Sequence, residues 1–220
     1  MRFFSNFLLF ICLIQTCLFS NCKVLVIGCG RSGTTYTTTL LRECGYDIQH
    51  ESFGEDGSVS WAMTVNQYSY ISLEQVTDSF EHIFHQVRNP LNVITSWSSN
   101  FYDPNSHFHN RVWSYIYQYI PQINQNDPLI TKCAKYWYYW NLLAEEKAEW
   151  RYRIEDIEEI FPEFCEKLGI PTNLEALQRV PKNTNTWSDT TNKVTWEELE
   201  RELDPELYQN IREMATRYGY

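Results

Sequence analysis

The stretch KVLVIGCGRSGTT, residues 23–35, decides the fold of this chain. Its first five residues are almost continuously apolar and include three β-branched side chains, a pattern typical of a central parallel strand covered on both faces. Gly28 ends this strand, and a glycine-rich loop leads into a helix that the pattern predicts over residues 34–42. The order strand, loop, helix predicts an α/β fold.

The rest of the chain continues the alternation of strands and helices. Three further strands are predicted over residues 46–50, 82–87 and 151–154, and helices over residues 91–97, 112–120 and 132–150. The charged stretch 196–218 is divided into two helices at Asp204-Pro205. We therefore predict one domain over residues 23–220, with a three-layer architecture in which helices cover both faces of a parallel sheet.

Composition limits the partners of this domain. The 220 residues are 43% hydrophobic and 21% charged, which is typical of a globular protein. The 18 Lys and Arg against 28 Asp and Glu give a net charge of −10, which argues against nucleic acid as a partner. Any anion that the protein binds must therefore be held by a local cluster of donors.

The first 22 residues resemble a targeting segment. Arg2 precedes an apolar run over residues 7–19, and polar residues return from Ser20. This run is shorter than the roughly 20 residues that cross a bilayer, so we predict a cleaved signal peptide, with a signal anchor or a buried first helix as alternatives. The protein is then expected in the secretory pathway, in the Golgi lumen or secreted, and in the cytoplasm if the segment is not a signal. Membrane contact is expected only if the segment is retained.

The cysteines give no sign of a metal site. No Cys-x-x-Cys pair or Cys/His ligand spacing occurs, so we predict no bound metal. In an oxidising compartment Cys133 and Cys165 could form a disulfide, although spacing alone does not fix the pairing.

The glycine loop can be compared with two known kinds of anion site. A loop that opens a helix points backbone N–H groups at one spot, where the positive end of the helix dipole also lies. Gly28, Gly30 and Gly33 satisfy the dinucleotide pattern G-x-G-x-x-G, and Glu51 follows where a ribose-binding acid of an NAD(P)-binding Rossmann oxidoreductase would lie. The loop also nearly fits the P-loop of a nucleotide kinase, except that Thr34 replaces the lysine.

Arg31 lies inside the loop, where its guanidinium would lie over a bound terminal anion. Neither the dinucleotide pattern nor the P-loop pattern requires an arginine at this position. A second signature, RNPLNVITS over residues 88–96, places Arg88 at the end of a predicted strand and Ser96 in the next helix. An arginine and a hydroxyl at this crevice would form a second phosphate pocket, separate from the loop, and two pockets indicate a doubly phosphorylated nucleotide.

RSGTT and RNPLNVITS, in this order, resemble the two nucleotide motifs of the sulfotransferases that use 3′-phosphoadenosine-5′-phosphosulfate (PAPS), and RSGTT is closer to their Golgi and bacterial branches than to the cytosolic one. KYWYYWN (residues 135–141) and YRIED (residues 152–156) resemble further family landmarks, although Ile154 stands where many members have tyrosine.

The resemblance implies a P-loop-like nucleotide-binding architecture. PAPS would be a co-substrate that leaves as adenosine 3′,5′-bisphosphate (PAP). The residues that would hold it are Gly30, Arg31, Ser32, Gly33, Thr34 and Thr35 at the 5′ end and Arg88 and Ser96 at the 3′-phosphate.

The implied reaction moves a sulfuryl group from PAPS to a hydroxyl or amine by in-line displacement, without a metal. Arg31 would neutralise the leaving oxygen, and Glu51, or else His50, would accept the proton of the acceptor.

His85 is read as a core histidine, while His107 and His109 are placed in a solvated polar loop. The acceptor is expected to be a neutral glycan, a lipid or a small alcohol, because a chain of this charge is poorly suited to a heavily sulfated one. A nucleotide-binding relative without catalytic activity is the remaining alternative.

Overall fold

In the part of the chain that the structure describes, five parallel strands form one central sheet in the order β2-β3-β1-β4-β5. The computed structural model describes residues 23–65, 80–100, 106–182, 184 and 193–220. The strands are β1 (Val24–Gly28), β2 (Ile48–His50), β3 (Gly57–Val59), β4 (His82–Val87) and β5 (Trp150–Arg153).

Eight α-helices are found in the described ranges. They are α1 (Thr34–Glu43), α2 (Pro90–Asn100), α3 (His107–Tyr119), α4 (Leu129–Glu145), α5 (Ile157–Lys167), α6 (Leu174–Arg179), α7 (Trp196–Glu202) and α8 (Pro205–Arg217). Two short 3₁₀ helices cover Ala62–Thr64 and Ile154–Asp156. None of the helices within these ranges is long and apolar enough to cross a membrane. The predicted signal segment, residues 1–22, lies outside the described residues.

The alternation of side chains along β1 divides the core into two sides. Val24 and Val26 pack with Phe84 against helices α1, α5 and α6. Leu25 and Ile27 point the opposite way and pack with Ala144 of α4. Because successive side chains of a strand point to opposite faces, one apolar strand is enough to seat both helix layers. The predicted three-layer α/β architecture with a parallel sheet is confirmed.

Strand β3 was not predicted, and it changes the sheet. Its three residues follow the bend at Asp56, and the pattern offers only Val59 as a large apolar side chain. In the structure β3 pairs with β1 on one side and with β2 on the other. The predicted second strand, residues 46–50, therefore begins later, at Ile48, and forms the edge of the sheet.

Two predicted helix boundaries are wrong. Helix α4 ends at Glu145 rather than at residue 150, because the Glu149 N–H donates to the Ile83 carbonyl oxygen (3.0 Å) and Trp150 begins β5. The polar loop predicted around His107 and His109 is the first turn of α3. Ser106 caps this helix, since its Oγ accepts from the His109 N–H (3.4 Å). Helices α5 and α6 were not predicted at all.

Cys133 and Cys165 do not form the disulfide that the sequence left open. Both thiols are free and buried. Cys133 lies on α4, in the aromatic core with Trp137 and Trp140, whereas Cys165 packs with Phe84 on the other side of the sheet. The sheet lies between the two thiols, so they cannot form a disulfide with each other.

Gly57 tests the register of β3. Its φ is +141°, and a Cβ atom there would lie 2.0 Å from the Val24 carbonyl oxygen. We expect Gly57→Ala to lower the free energy of unfolding by about 3 kcal/mol, because the strand pair would have to separate. Gly169→Ala is the matched control: its φ is +65°, nothing lies within 4 Å of the added methyl, and the expected loss is about 1 kcal/mol. Urea unfolding measures both, and equal losses would contradict this register.

Candidate active site at the carboxyl ends of the strands

The loop between β1 and α1 is held by side chains from other elements. The Tyr136 hydroxyl accepts from the Gly30 N–H (2.8 Å), and Trp97 Nε1 donates to the Gly30 carbonyl oxygen (2.9 Å). Gln86 Nε2 donates to the Ser32 carbonyl oxygen (2.8 Å). These partners come from α4, α2 and β4, so the first half of the loop is fixed to the protein interior.

The second half of the loop presents the start of α1 to a ligand. Gly33 is the N-cap residue with φ +97°, no side chain caps the helix, and no acidic residue lies in its first turn. A helix start of this kind, with its N–H groups and the positive end of the helix dipole, favours a bound anion. The chemistry of this end of the loop therefore suits a phosphate or a phosphosulfate.

Arg31 stands between the two halves in a left-handed backbone conformation, with φ +70°. This conformation is rare and costly for a residue other than glycine, so the surrounding structure must stabilise it. Arg88 Nη1 donates to the Arg31 carbonyl oxygen (2.9 Å), and Arg31 Nε donates to Ser96 Oγ (2.9 Å). The left-handed turn thus points the Arg31 side chain towards α2.

The two arginines lie close enough to affect each other. Burial lowers the pKa of Arg31, and the positive charge of Arg88 lowers it further. Burial also lowers the pKa of Arg88. Two partly buried guanidinium groups repel each other, and an anion between them removes the repulsion and provides the partners that their donors favour.

A cavity of about 470 Å³ joins these groups. This volume is within the usual range for small-molecule sites, about 300–1,000 Å³. The predicted site residues on its wall are Gly30, Arg31, Gly33, Thr34, Thr35, His50, Glu51 and Arg88. The carboxyl ends of β1, β2 and β4 therefore open onto one space.

Glu51 faces the loop from the end of β2, also with a left-handed backbone at φ +55°. Its Oε2 accepts from Ser60 Oγ (2.5 Å), and its Oε1 accepts from the Trp61 N–H (3.1 Å). Burial raises the pKa of Glu51 to about 7, and these hydrogen bonds only partly offset that rise. A carboxyl group with such a pKa can exchange a proton near neutral pH.

His50 lies beside Glu51, with 3.6 Å between His50 Nε2 and Glu51 Oε1. The same nitrogen lies 2.9 Å from Thr34 Oγ1. Burial, followed by the positive charge of Arg42, lowers the pKa of His50, so the ring is neutral at pH 7. His50 thus connects the carboxyl group of Glu51 to the first turn of α1.

Ser32 and Ser96 were predicted to touch the ligand, and the structure places neither on the cavity wall. Ser32 is fully buried, and its Oγ has no hydrogen-bond partner among the residues that the structure describes. Ser96 contacts Arg31 instead, so its hydroxyl orients the arginine of the loop. Arg88 and the loop line the same cavity, so the second pocket expected at Arg88 adjoins the loop.

His85 is a structural residue, in line with its predicted place in the core. Its ring is fully buried in β4, and Nε2 lies 2.9 Å from Asn141 Oδ1. Burial lowers the pKa of His85 to about 4. The ring is neutral at physiological pH.

Several cavity residues were missed by the sequence reasoning. Trp61 and Val112 carried no motif signal, and Trp61 lies in a segment that was assigned no element. Ile154, which marks the departure from the family pattern, also lies on the wall. Glu155 was noted only as part of YRIED. Its Oε1 accepts from the Asn89 N–H (2.9 Å), and its Oε2 accepts from the Tyr220 hydroxyl (2.7 Å).

Among the described residues, no group of three or more His, Cys, Asp or Glu side chains is placed to hold a metal ion. The residues that could bind a ligand here are the two arginines, the loop amides and the hydroxyls at the start of α1.

Comparison with known proteins gives matches in structure alone. No family model and no curated protein matches the chain. The crystal structure of mouse sulfotransferase SULT7A1 complexed with PAP is 13% identical, with a TM-score of 0.45 and coverage of 90% of this chain and 84% of that one. A sulfotransferase from Alicyclobacillus acidocaldarius is also 13% identical, with a TM-score of 0.39 and coverage of 89% of this chain and 92% of that one.

Proposed function

We propose that this protein is a sulfotransferase that moves a sulfuryl group from PAPS to an acceptor hydroxyl or amine. One observation carries the proposal: Arg31 and Arg88 meet at one cavity, across which Glu51 has a pKa of about 7. Two cationic groups suit a ligand with two separate anionic ends, and a carboxyl group with a raised pKa suits removal of a proton.

The site fits the two ends of PAPS in different ways. The 5′-phosphosulfate would lie at the start of α1, where the helix has no side-chain cap and Arg31 supplies the cation. The 3′-phosphate would bind Arg88. Ser96 would not contact the phosphate. Its hydroxyl accepts a hydrogen bond from Arg31 and would orient that side chain.

In the reaction, the acceptor oxygen or nitrogen forms a bond to sulfur while the bond from sulfur to the bridging oxygen breaks. Negative charge develops on that oxygen, which leaves as part of PAP. Arg31 and the amides at the start of α1 stabilise this charge, by analogy with the groups that stabilise phosphoryl transfer. Glu51 takes the acceptor proton, and the Ser60 hydroxyl and the Trp61 N–H hold its carboxyl group in place.

The described wall on the side of Glu51 suits an uncharged acceptor. Trp61 donates its backbone N–H to Glu51, and both Trp61 and Val112 line the cavity. An indole can pack against a sugar face, a lipid chain or a ring. The net charge of −10 also disfavours a polyanionic acceptor. We therefore propose a neutral glycan, lipid or small alcohol as the acceptor. The protein would encounter this acceptor in the secretory pathway if residues 1–22 act as a signal.

The rival readings have less support. In the dinucleotide fold the second strand neighbours the first, and its acid binds the ribose. Here β2 is the edge strand, and Glu51 accepts hydrogen bonds from the Ser60 hydroxyl and the Trp61 N–H. A nucleotide kinase would use a lysine at position 34, where this chain has a threonine bonded to His50. The raised pKa of Glu51 favours an enzyme over a relative that only binds nucleotide.

Arg31→Ala tests the catalytic role of the loop arginine. We expect kcat for transfer of labelled sulfate from PAPS to fall by about 10³- to 10⁵-fold, the effect of removing an arginine that stabilises the leaving charge in related chemistry. Arg201→Ala is the control, because Arg201 is exposed on α7 and paired with Glu202, and its kcat should stay unchanged. Near-normal turnover of Arg31→Ala would contradict the assignment.

The pH dependence of the rate tests Glu51. A general base must be ionised, so kcat/KM is expected to rise with pH and to level off above the pKa of about 7. Glu51→Gln should lower kcat/KM at pH 8 by about 10²- to 10⁴-fold and remove the slope below pH 7. If Glu51→Gln keeps this slope and His50→Gln loses it, His50 is the base.

Binding of PAP tests the nucleotide assignment without turnover. We expect PAP to raise the melting temperature, and NAD and ATP to raise it much less, since only a ligand bound by the folded state stabilises it. Arg88→Ala should weaken PAP binding by at least about tenfold in calorimetry, because a charge-assisted contact is lost. Stabilisation by NAD with none by PAP would favour the oxidoreductase reading.

A further inference from the structure

Glu155 brings a negative charge to the wall of the cavity near Arg88. Asn89, which follows Arg88 in the chain, donates its N–H to Glu155 Oε1 (2.9 Å), and the Tyr220 hydroxyl donates to Oε2 (2.7 Å). Glu155 and Arg88 both line the cavity. A carboxylate beside a phosphate-binding arginine competes with the phosphate unless it is restrained.

In the structure, Glu155 is near Arg88 but does not form an ion pair with it. Arg88 takes part in none of the ion pairs found within the described ranges, and its Nη1 donates to the Arg31 carbonyl oxygen. The charge of Glu155 still acts on Arg88: it opposes the lowering of the Arg88 pKa by burial. The two groups are therefore near each other without being paired.

Tyr220 is held in place by more than its hydroxyl. The guanidinium of Arg153 lies over the Tyr220 ring, 5.4 Å from the ring centre. Arg153 also donates to the Gly219 carbonyl oxygen and pairs with Asp156 (2.5 Å). Removal of the hydroxyl alone should therefore leave the ring in position, which separates the hydrogen bond from the packing.

We infer that Tyr220 is a positioning residue which, with the Asn89 amide, holds Glu155 away from Arg88 and so keeps the Arg88 guanidinium available to the 3′-phosphate. The inference rests on the proposed function, because it concerns binding of a 3′-phosphorylated nucleotide. Without the hydroxyl, Oε2 of Glu155 lacks a donor. Of the two guanidinium groups whose charges interact with Glu155, that of Arg153 is already paired with Asp156, which leaves Arg88 as the new partner. Glu155 then pairs with Arg88 and competes with the ligand.

The test compares two nucleotides that differ only in the 3′-phosphate. In calorimetry, Tyr220→Phe should weaken binding of PAP by about five- to tenfold and leave binding of adenosine 5′-phosphate within about twofold. Tyr218→Phe is the matched control, since the Tyr218 hydroxyl is buried without a hydrogen-bond partner among the described residues and does not hold Glu155. Its PAP affinity should equal that of the unchanged protein.

A double-mutant cycle identifies Glu155 as the intermediary. In Glu155→Gln the carboxylate is absent, so adding Tyr220→Phe should cause no further loss of PAP affinity. Unchanged PAP affinity in Tyr220→Phe, equal weakening of both nucleotides, or full loss in the Glu155→Gln background would each overturn the inference alone. If the unchanged protein does not bind PAP, the proposed function fails, and the inference fails with it.

Discussion

The left-handed turn at Arg31 is the constraint on which the candidate site depends. A non-glycine residue at φ +70° is costly, and it persists here because Arg88, which follows β4, binds its backbone and Ser96 of α2 binds its side chain. The turn separates loop amides that face the protein from those that face the cavity. It also brings two arginines together, although their charges repel. A site arranged in this way is stabilised by the anion that it binds.

The buried polar network beneath the loop transmits this constraint to the sheet. Gln86 donates to the Ser32 carbonyl oxygen, and its own Oε1 accepts from Thr37 (2.5 Å) and from the Tyr152 hydroxyl (2.6 Å). These residues come from β4, α1 and β5, so three elements share one buried amide. A satisfied network of this kind fixes a single arrangement, since each broken bond would leave a buried polar group unpaired. The position of the loop is therefore set by the core.

Much of this organisation could be read from the sequence. The apolar run of β1 and the glycine loop carry strong local signals, and so does the pair Arg88 and Ser96, because strand ends and helix starts are dictated by nearby residues. What was missed depends on contacts far apart in the chain. Strand β3 has only three residues, and it is a strand because β1 and β2 pair with it.

The chemistry of the site was harder to predict than its location. Glu51 could be proposed as a base from its position, but its raised pKa comes from burial that only the fold creates. Ser96 was expected on a phosphate, and its bond to Arg31 depends on the left-handed turn, for which the sequence gives no sign. The contact between Glu155 and Tyr220 joins residues 65 positions apart. No motif of fixed spacing describes such a pair.

The decisive measurement is a crystal structure of the protein with PAP bound. We predict the 5′-phosphate at the start of α1 within hydrogen-bonding distance of the Arg31 side chain, and the 3′-phosphate on the Arg88 guanidinium. Glu51 should face the open end of the 5′ site, where an acceptor would enter. A nucleotide bound elsewhere, or one whose two phosphates contact neither arginine, would contradict it.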